Sequence, residues 1–278
     1  MRIGAGLAIA WWAGGSAAGD TLTFVRSWTL TAPAASFGGL SAIETTDGTA
    51  FVVLSDRGQA FDLTLDRTQG STTVRFREQP APERDSEGLA LSETNLFFSY
   101  EGPARVFDAS GTMLPVLPAF NHMNDNAAFE ALAARPDGTV YAIPERSGGT
   151  AFPFPVFRFQ QGAWDVPRTM PRSAPFLPAG ADIGPDGMLY VLERAVTPLG
   201  FRTRIRRLDP DTPDGPVETL LKTPPGLHDN LEGLTLWSDA DGHVCLTMVS
   251  DDNFLRVQRT EIVEYSLASP LAAGQGCD

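Results

Sequence analysis

Lysine is nearly missing from this chain of 278 residues: Lys222 is the single copy, and every other basic residue is arginine. Acidic residues outnumber basic ones 34 to 21, which leaves a formal net charge of −13. With no basic cluster along the sequence, nucleic acid and an anionic membrane surface are excluded as partners, and cations are favoured. Histidine is scarce too. His122, His228 and His243 show no His-Glu-x-x-His spacing, and Cys245 and Cys277 make no Cys-x-x-Cys pair, so a zinc centre lacks its ligands. There is no Gly-x-Ser-x-Gly elbow, no glycine-rich phosphate loop opening a helix and no dinucleotide fingerprint. No segment carries the apolar period of a long helix.

What the chain does have is repetition. Five times an apolar strand, a turn and a second apolar strand ending on a charged residue follow one another. The copies are Gly39 to Ile43 with Val52 to Arg57, Ser86 to Leu91 with Leu96 to Glu101, Phe129 to Ala133 with Val140 to Arg146, Ala181 to Ile183 with Leu189 to Arg194, and Leu231 to Leu236 with Val244 to Asp252. Asp-Gly turns at Asp47-Gly48, Asp137-Gly138, Asp186-Gly187 and Asp241-Gly242 suit tight hairpins. A strand repeat recurring about every 50 residues predicts an all-β fold, a single β-propeller of five four-stranded blades. Six blades remain the alternative, with a degenerate repeat within 103–125 or 195–228. The fifth unit lacks an outer strand, and Leu22 to Leu30 is the strand expected to complete it and close the ring.

Residues 1–19 read as a secretory signal peptide: Arg2, a short apolar core ending at Trp12-Ala13, then small residues before Asp20. The core is too short to span a membrane. The propeller domain is then 20–278, periplasmic or secreted, with no membrane insertion after signal removal. In an oxidising compartment Cys245 and Cys277 are expected to bridge, stapling the tail to the last blade. The other reading leaves Cys245 as a small buried hydrophobe and Cys277 as a thiol.

Blade geometry brings the starts of innermost strands and the ends of second strands to one face. The repeats therefore predict a funnel lined by Glu87, Glu130, Asp182 and Glu232 from strand starts, and by Asp56, Glu101, Glu145, Glu193, Asp251 and Asp252 from strand ends. So many carboxylates repel one another unless something positive is present. Arg57, Arg146 and Arg194 supply part of the compensation, and Ca2+ is the expected cofactor, since Asn126, Asp229 and Asn230 add further oxygen donors. His122 and His228 precede first strands and are candidates for the rim. A fold-keeping role competes with this reading, because an acid at a strand start also bonds amides of the next blade.

Gly38-Gly39-Leu40-Ser41 with Leu54-Ser55-Asp56-Arg57-Gly58, then Glu87-Gly88-Leu89-Ala90, Phe129-Glu130-Ala131-Leu132, Asp229-Asn230-Leu231-Glu232-Gly233-Leu234 and Val249-Ser250-Asp251-Asp252-Asn253-Phe254 resemble the phytase-like propeller family, described as having esterase-like activity of phytase. The resemblance runs from about Phe37 to Tyr265. It implies an exported bacterial propeller related to calcium-dependent phosphoesterases. The expected activity is calcium-dependent hydrolysis of a phosphate or carboxylic ester by a monomer acting on a small molecule. Metal ligands are expected among Glu87, Glu130, Asp182, Glu232, Asp251, Asp56, Glu145 and Glu193. His228 or Glu232 is the expected base, and Arg57 or Arg194 the expected partner of developing negative charge. The alternatives are a non-catalytic exported propeller that binds a small ligand or an envelope protein, and a lactonase-like propeller sharing the metal site.

Overall fold

A computed structural model describes residues 21–31, 37–77, 86–100, 102, 104–123, 129–268 and 276–277. The expected signal peptide, Glu101 and Asn126 lie outside them. Five small sheets stand in a ring, making a five-bladed β-propeller. Blade 1 is β2 (Leu40–Thr45), β3 (Ala50–Ser55), β4 (Ala60–Asp66) and β5 (Ser71–Arg77). Blade 2 is β6 (Ser86–Leu91), β7 (Leu96–Tyr100) and β8 (Arg105–Asp108). Blade 3 is β9 (Ala131–Ala134), β10 (Val140–Ile143), β11 (Phe154–Gln160) and β12 (Ala163–Met170). Blade 4 is β13 (Leu177–Ile183), β14 (Leu189–Thr197), β15 (Gly200–Leu208) and β16 (Val217–Lys222). Blade 5 is β17 (Asn230–Ser238), β18 (Val244–Asp251) and β19 (Glu261–Ala268), with β1 (Thr21–Thr29) antiparallel to β19 on its outer side, Thr21 opposite Ala268 and Thr29 opposite Glu261. Blade 2 departs from the expected four strands: among the described residues it has three, extended by a bridge between Phe107 and Met113.

The innermost strands touch in ring order, β2 to β6 to β9 to β13 to β17 and back to β2. Their alternation buries one set of side chains against each neighbouring blade. Tyr190, Leu192 and Ile205 of blade 4 meet Leu234, Met248 and Val263 of blade 5, while Ile43, Val53 and Phe61 of blade 1 meet Val249 and Ile262. At the lower face the Asp-Gly hairpins form as expected. Asp47 Oδ1 accepts the amides of Thr49 and Ala50 at 2.8 and 2.9 Å, and Gly48 takes a φ of +70° that a Cβ would oppose. A disulfide joins Cys245 to Cys277 across a Cα separation of 5.7 Å, within the usual range.

One irregularity positions the site. Four innermost strands carry a register shift at the same place near their upper ends: Leu40/Ala42, Ser86/Leu89, Pro178/Gly180 and Leu231/Gly233. Such bulges re-aim a side chain. The residue at the bulge is Ser41, Glu87, Ala179 or Glu232, and Glu130 holds the corresponding place just before β9. The following residue is always small, being Ala42, Gly88, Ala131, Gly180 or Gly233. Neighbouring backbones explain that choice. A Cβ on Gly233 would lie 2.9 Å from Ala42 Cα, and one on Gly180 would overlap the Glu232 carbonyl oxygen.

Candidate functional site

The upper mouth of the ring is built around one guanidinium. Arg194, near the middle of β14, places Nη1 3.0 Å from Glu232 Oε1 and donates to Asn230 Oδ1 at 3.2 Å. Its Nη2 lies 3.8 Å from Glu145 Oε1. Asn230 Nδ2 donates to Glu232 Oε1 at 2.7 Å and reaches Asp251 Oδ2 at 3.4 Å, so one amide links two carboxyls. Asp251 Oδ1 also accepts the Asn253 amide at 2.6 Å. These groups come from blades 3, 4 and 5, and the bulge at Glu232 turns its carboxyl into the shared space.

Electrostatics follow from that crowding. Burial pushes the Glu232 carboxyl up to about 7, with Arg194 opposing and Asp251 and Asp56 adding to the rise. Burial likewise pushes Asp251 up to about 6, and Asp56 and Asp252 push the same way. Glu130 rises well above the usual carboxylate range, first through burial and then through Glu87 and Glu232. Burial works against the charge of Arg194, but Glu232, Glu130, Glu145 and Asp251 together outweigh it and raise its pKa. Six carboxyls, Asp56, Glu87, Glu130, Glu145, Glu232 and Asp251, thus share one electrostatic neighbourhood with Arg194.

Several expected members of the funnel lie elsewhere. Asp182 sits opposite Tyr190 at the lower end of β13, three residues beyond the bulge position that Ala179 occupies. Its Oδ2 accepts the Leu236 amide at 2.6 Å and its Oδ1 the Ile183 amide at 2.7 Å, so it ties blade 4 to blade 5. Glu193 is buried between Arg204 and Arg206 of β15, each 2.5 Å away, because alternation along β14 turns it to the opposite side from Arg194. It is a structural ion pair. His228 is buried against Phe24 and bonds Tyr265 Oη at 2.6 Å through Nε2, and burial pulls its pKa to about 4. A ring so enclosed in blade 5 is no base for the funnel. Arg57 stands at the rim, exposed, with its guanidinium carbon 3.3 Å over the Phe254 ring. Asp252 anchors the same rim by accepting the Gly39 and Phe254 amides.

The repeat pattern missed Glu44, which lies buried at the lower end of β2 and shares the Thr235 hydroxyl with Asp182 at 3.3 Å each. The signal was present, since Glu44 is an acid inside an apolar innermost strand. Between the two ends the axial cavity, lined by Ser41, Gly88, Glu130, Gly180 and Gly233, encloses about 10 Å³, room for about one water.

The upper donors fit a hard divalent cation in kind, all being carboxylate or amide oxygens apart from Arg194. Among the described residues no three of His, Cys, Asp and Glu form a ready cage, since Arg194 stands between Glu145 and Glu232.

The PQQ-bound aldose sugar dehydrogenase of Streptomyces coelicolor superposes with a TM-score of 0.52 at 11% identity, over 90% of this chain and 99% of that one. Glutaminyl cyclase of Myxococcus xanthus gives a TM-score of 0.48 at 10% identity, over 90% and 98%. At such identity the first likeness shows the propeller fold alone. No curated protein sequence matches the chain. The family model described as phytase-like, esterase-like activity of phytase, matches residues 35–254, which hold both the bulged acids and the Asp251 loop, and the chain belongs to that family.

Proposed function

We propose that the upper funnel is the active site of an exported, calcium-dependent ester hydrolase that acts as a monomer on a small phosphate or carboxylic ester. The observation that carries this reading is the convergence of Arg194 from β14, Asn230 and Glu232 from β17 and Asp251 from β18 on one partly buried point. Burying several like charges costs stability, and the fold has cheaper ways to close a ring, so the cluster is retained for chemistry.

Glu232 is held on one oxygen by Asn230 and Arg194, and its carboxyl takes the proton of the attacking water. Arg194 faces the same point and stabilises the negative charge that develops on the ester oxygen. Asp251, fixed by the Asn253 amide, keeps Asn230 oriented. Asp56, Glu87 and Glu130 are the oxygen donors that would hold Ca2+. Held there, Ca2+ would supply Lewis-acid polarisation of the ester and of the water. Export is supported by the Cys245–Cys277 bridge, since such bonds persist in oxidising compartments.

The test combines thermal melting with and without Ca2+ and a panel of p-nitrophenyl phosphate and acetate esters. Calcium should raise Tm and support turnover, and Glu232→Gln should cut kcat at least about 100-fold while the fold is kept. Calcium stabilisation with no turnover of any ester assigns the funnel to binding instead. Turnover unchanged in Glu232→Gln removes the centre of the scheme.

A further inference from the structure

The sequence has no basic run, yet β15 reads Arg202-Thr203-Arg204-Ile205-Arg206, and alternation puts the three arginines on one face of the strand. The fold adds the single lysine to them. Lys222 lies opposite Arg204 in the β15–β16 ladder. Phe176, just before β13, is the common floor: the guanidinium carbons of Arg202 and Arg204 lie 5.6 and 4.4 Å from its ring centre, and Lys222 Nζ lies 5.6 Å away. Arg206 is buried beside them, sharing Glu193 with Arg204. Four positive groups thus gather here in a protein whose net charge is −13, and Glu193 is the carboxylate paired with two of them, Arg204 and Arg206.

Their hydrogen bonds are incompletely filled. Arg204 and Arg206 donate to Glu193 and to the carbonyls of Ser173 and Pro171, and Arg202 to the carbonyl of Thr223. Arg206 Nε is buried with no acceptor among the described residues. Lys222 is exposed, with a ring contact and no ion pair among the described residues. Like charges gathered at this density repel, and a buried guanidinium N–H without an acceptor is costly. A bound anion relieves the first of these penalties.

We infer that the cationic cluster on Phe176, beside the connection from blade 3 to blade 4, binds a tetrahedral oxyanion, phosphate or sulfate, through Arg202, Arg204 and Lys222. A dianion with four oxygens can meet three cations at once, whereas a carboxylate offers a single charge and two oxygens. Aromatic contact from Phe176 fixes the cations in place. Glu193 offsets one of the two inner positive charges, which leaves net positive charge on Arg204 and Arg206 beside half-buried Arg202 and exposed Lys222. The site stands apart from the funnel, since Lys222 lies two strands out from β14, about 10 Å at ordinary strand spacing.

The experiment uses the full chain in EDTA, titrated by calorimetry with sodium phosphate, sodium sulfate and sodium acetate at fixed ionic strength. Phosphate and sulfate should bind and raise Tm, whereas acetate and chloride should not. Lys222→Gln and Arg202→Gln, the two more exposed members of the cluster, should each weaken phosphate binding about tenfold and together about 100-fold. Glu232→Gln should bind phosphate as the wild type does, which separates this site from the funnel. Absence of phosphate and sulfate binding in the wild type, equal binding of acetate, or undiminished affinity in the double variant overturns the assignment. Lys222 is exposed, so loss of the fold does not obscure its variant.

Discussion

Two pairs of buried acids occupy opposite ends of the same ring of innermost strands. Glu232 and Asp251 at the upper mouth are linked through Asn230 and face Arg194. Glu44 and Asp182 at the lower end are linked through Thr235, and Asp182 spends both oxygens on main-chain amides of Ile183 and Leu236. Composition does not distinguish the pairs. What differs is the partner: a side-chain cation that can exchange for a ligand above, fixed backbone donors below. On the proposed reading the upper pair is a site, while the lower pair fastens blade 4 to blade 5.

The comparison can be broken most forcefully at its cation. Arg194→Met leaves Glu232 and Glu145 without their counter-charge and should lower stability by about 3–5 kcal/mol in chemical denaturation, with added Ca2+ restoring part of the loss. A loss below about 1 kcal/mol would show that the upper acids do not depend on the guanidinium. At the lower end, Asp182→Ala strips two buried amides of their acceptor and should cost about 3 kcal/mol, with no recovery by Ca2+. Recovery by Ca2+ would make the two ends alike.

A pH profile sharpens the contrast further. Burial raises Asp182 to about 7, so the folded state binds more protons than the unfolded state between the ordinary aspartate range and neutrality. Its contribution is fully present below the unfolded pKa and lost as pH rises through about 7. Glu232 and Asp251, raised to about 7 and about 6, act in the same direction, while His228, lowered to about 4, acts in the opposite direction below its unfolded pKa. The wild type minus Asp182→Asn difference isolates the lower pair and should fall by on the order of 2 kcal/mol between pH 4 and 8. Ca2+ should flatten the upper contribution and leave this difference unchanged. The smallest effect is expected for Glu44→Gln. Burial, then Asp182, pushes the Glu44 carboxyl well above its usual range, and glutamine mimics the protonated form. Stability at pH 7 should change by less than about 1 kcal/mol, whereas a loss of several would mean that Glu44 is needed as a carboxylate.

Much of the architecture was legible along the chain because hairpins are local. Asp47-Gly48 and its three counterparts announce turns through the one residue that tolerates positive φ, and the apolar pairs around them announce strands. Blade 2 broke the four-strand rule after β8, where the chain continues into the short 3-10 helix Pro118–His122 in place of a fourth strand. In the site, Glu87, Glu130 and Glu232 are legible because each stands at the start of a repeated first strand; the bulge that turns them inward is seen only in the ring. Asp182 was misplaced by three residues because Ile183 imitates the aliphatic position of the other repeats, while Ala179-Gly180 carries no acid to mark the bulge. Glu193 and Arg194 are neighbours in sequence with opposite surroundings, a consequence of the two-residue strand period. The basic face of β15 escaped notice because its arginines alternate and its lysine comes from the next strand.

By itself the sequence determined the repeat, the turns and the family, since each rests on residues within one hairpin or one motif, while the ring settled five blades over six. Tertiary structure alone decided which acids meet. Charge is settled by neighbours from other blades, as when Arg194 of blade 4 takes Glu232 of blade 5 and Leu236 of blade 5 takes Asp182 of blade 4. A one-residue change of register reverses the face on which a side chain stands, so no local pattern can assign those partners before the ring is assembled.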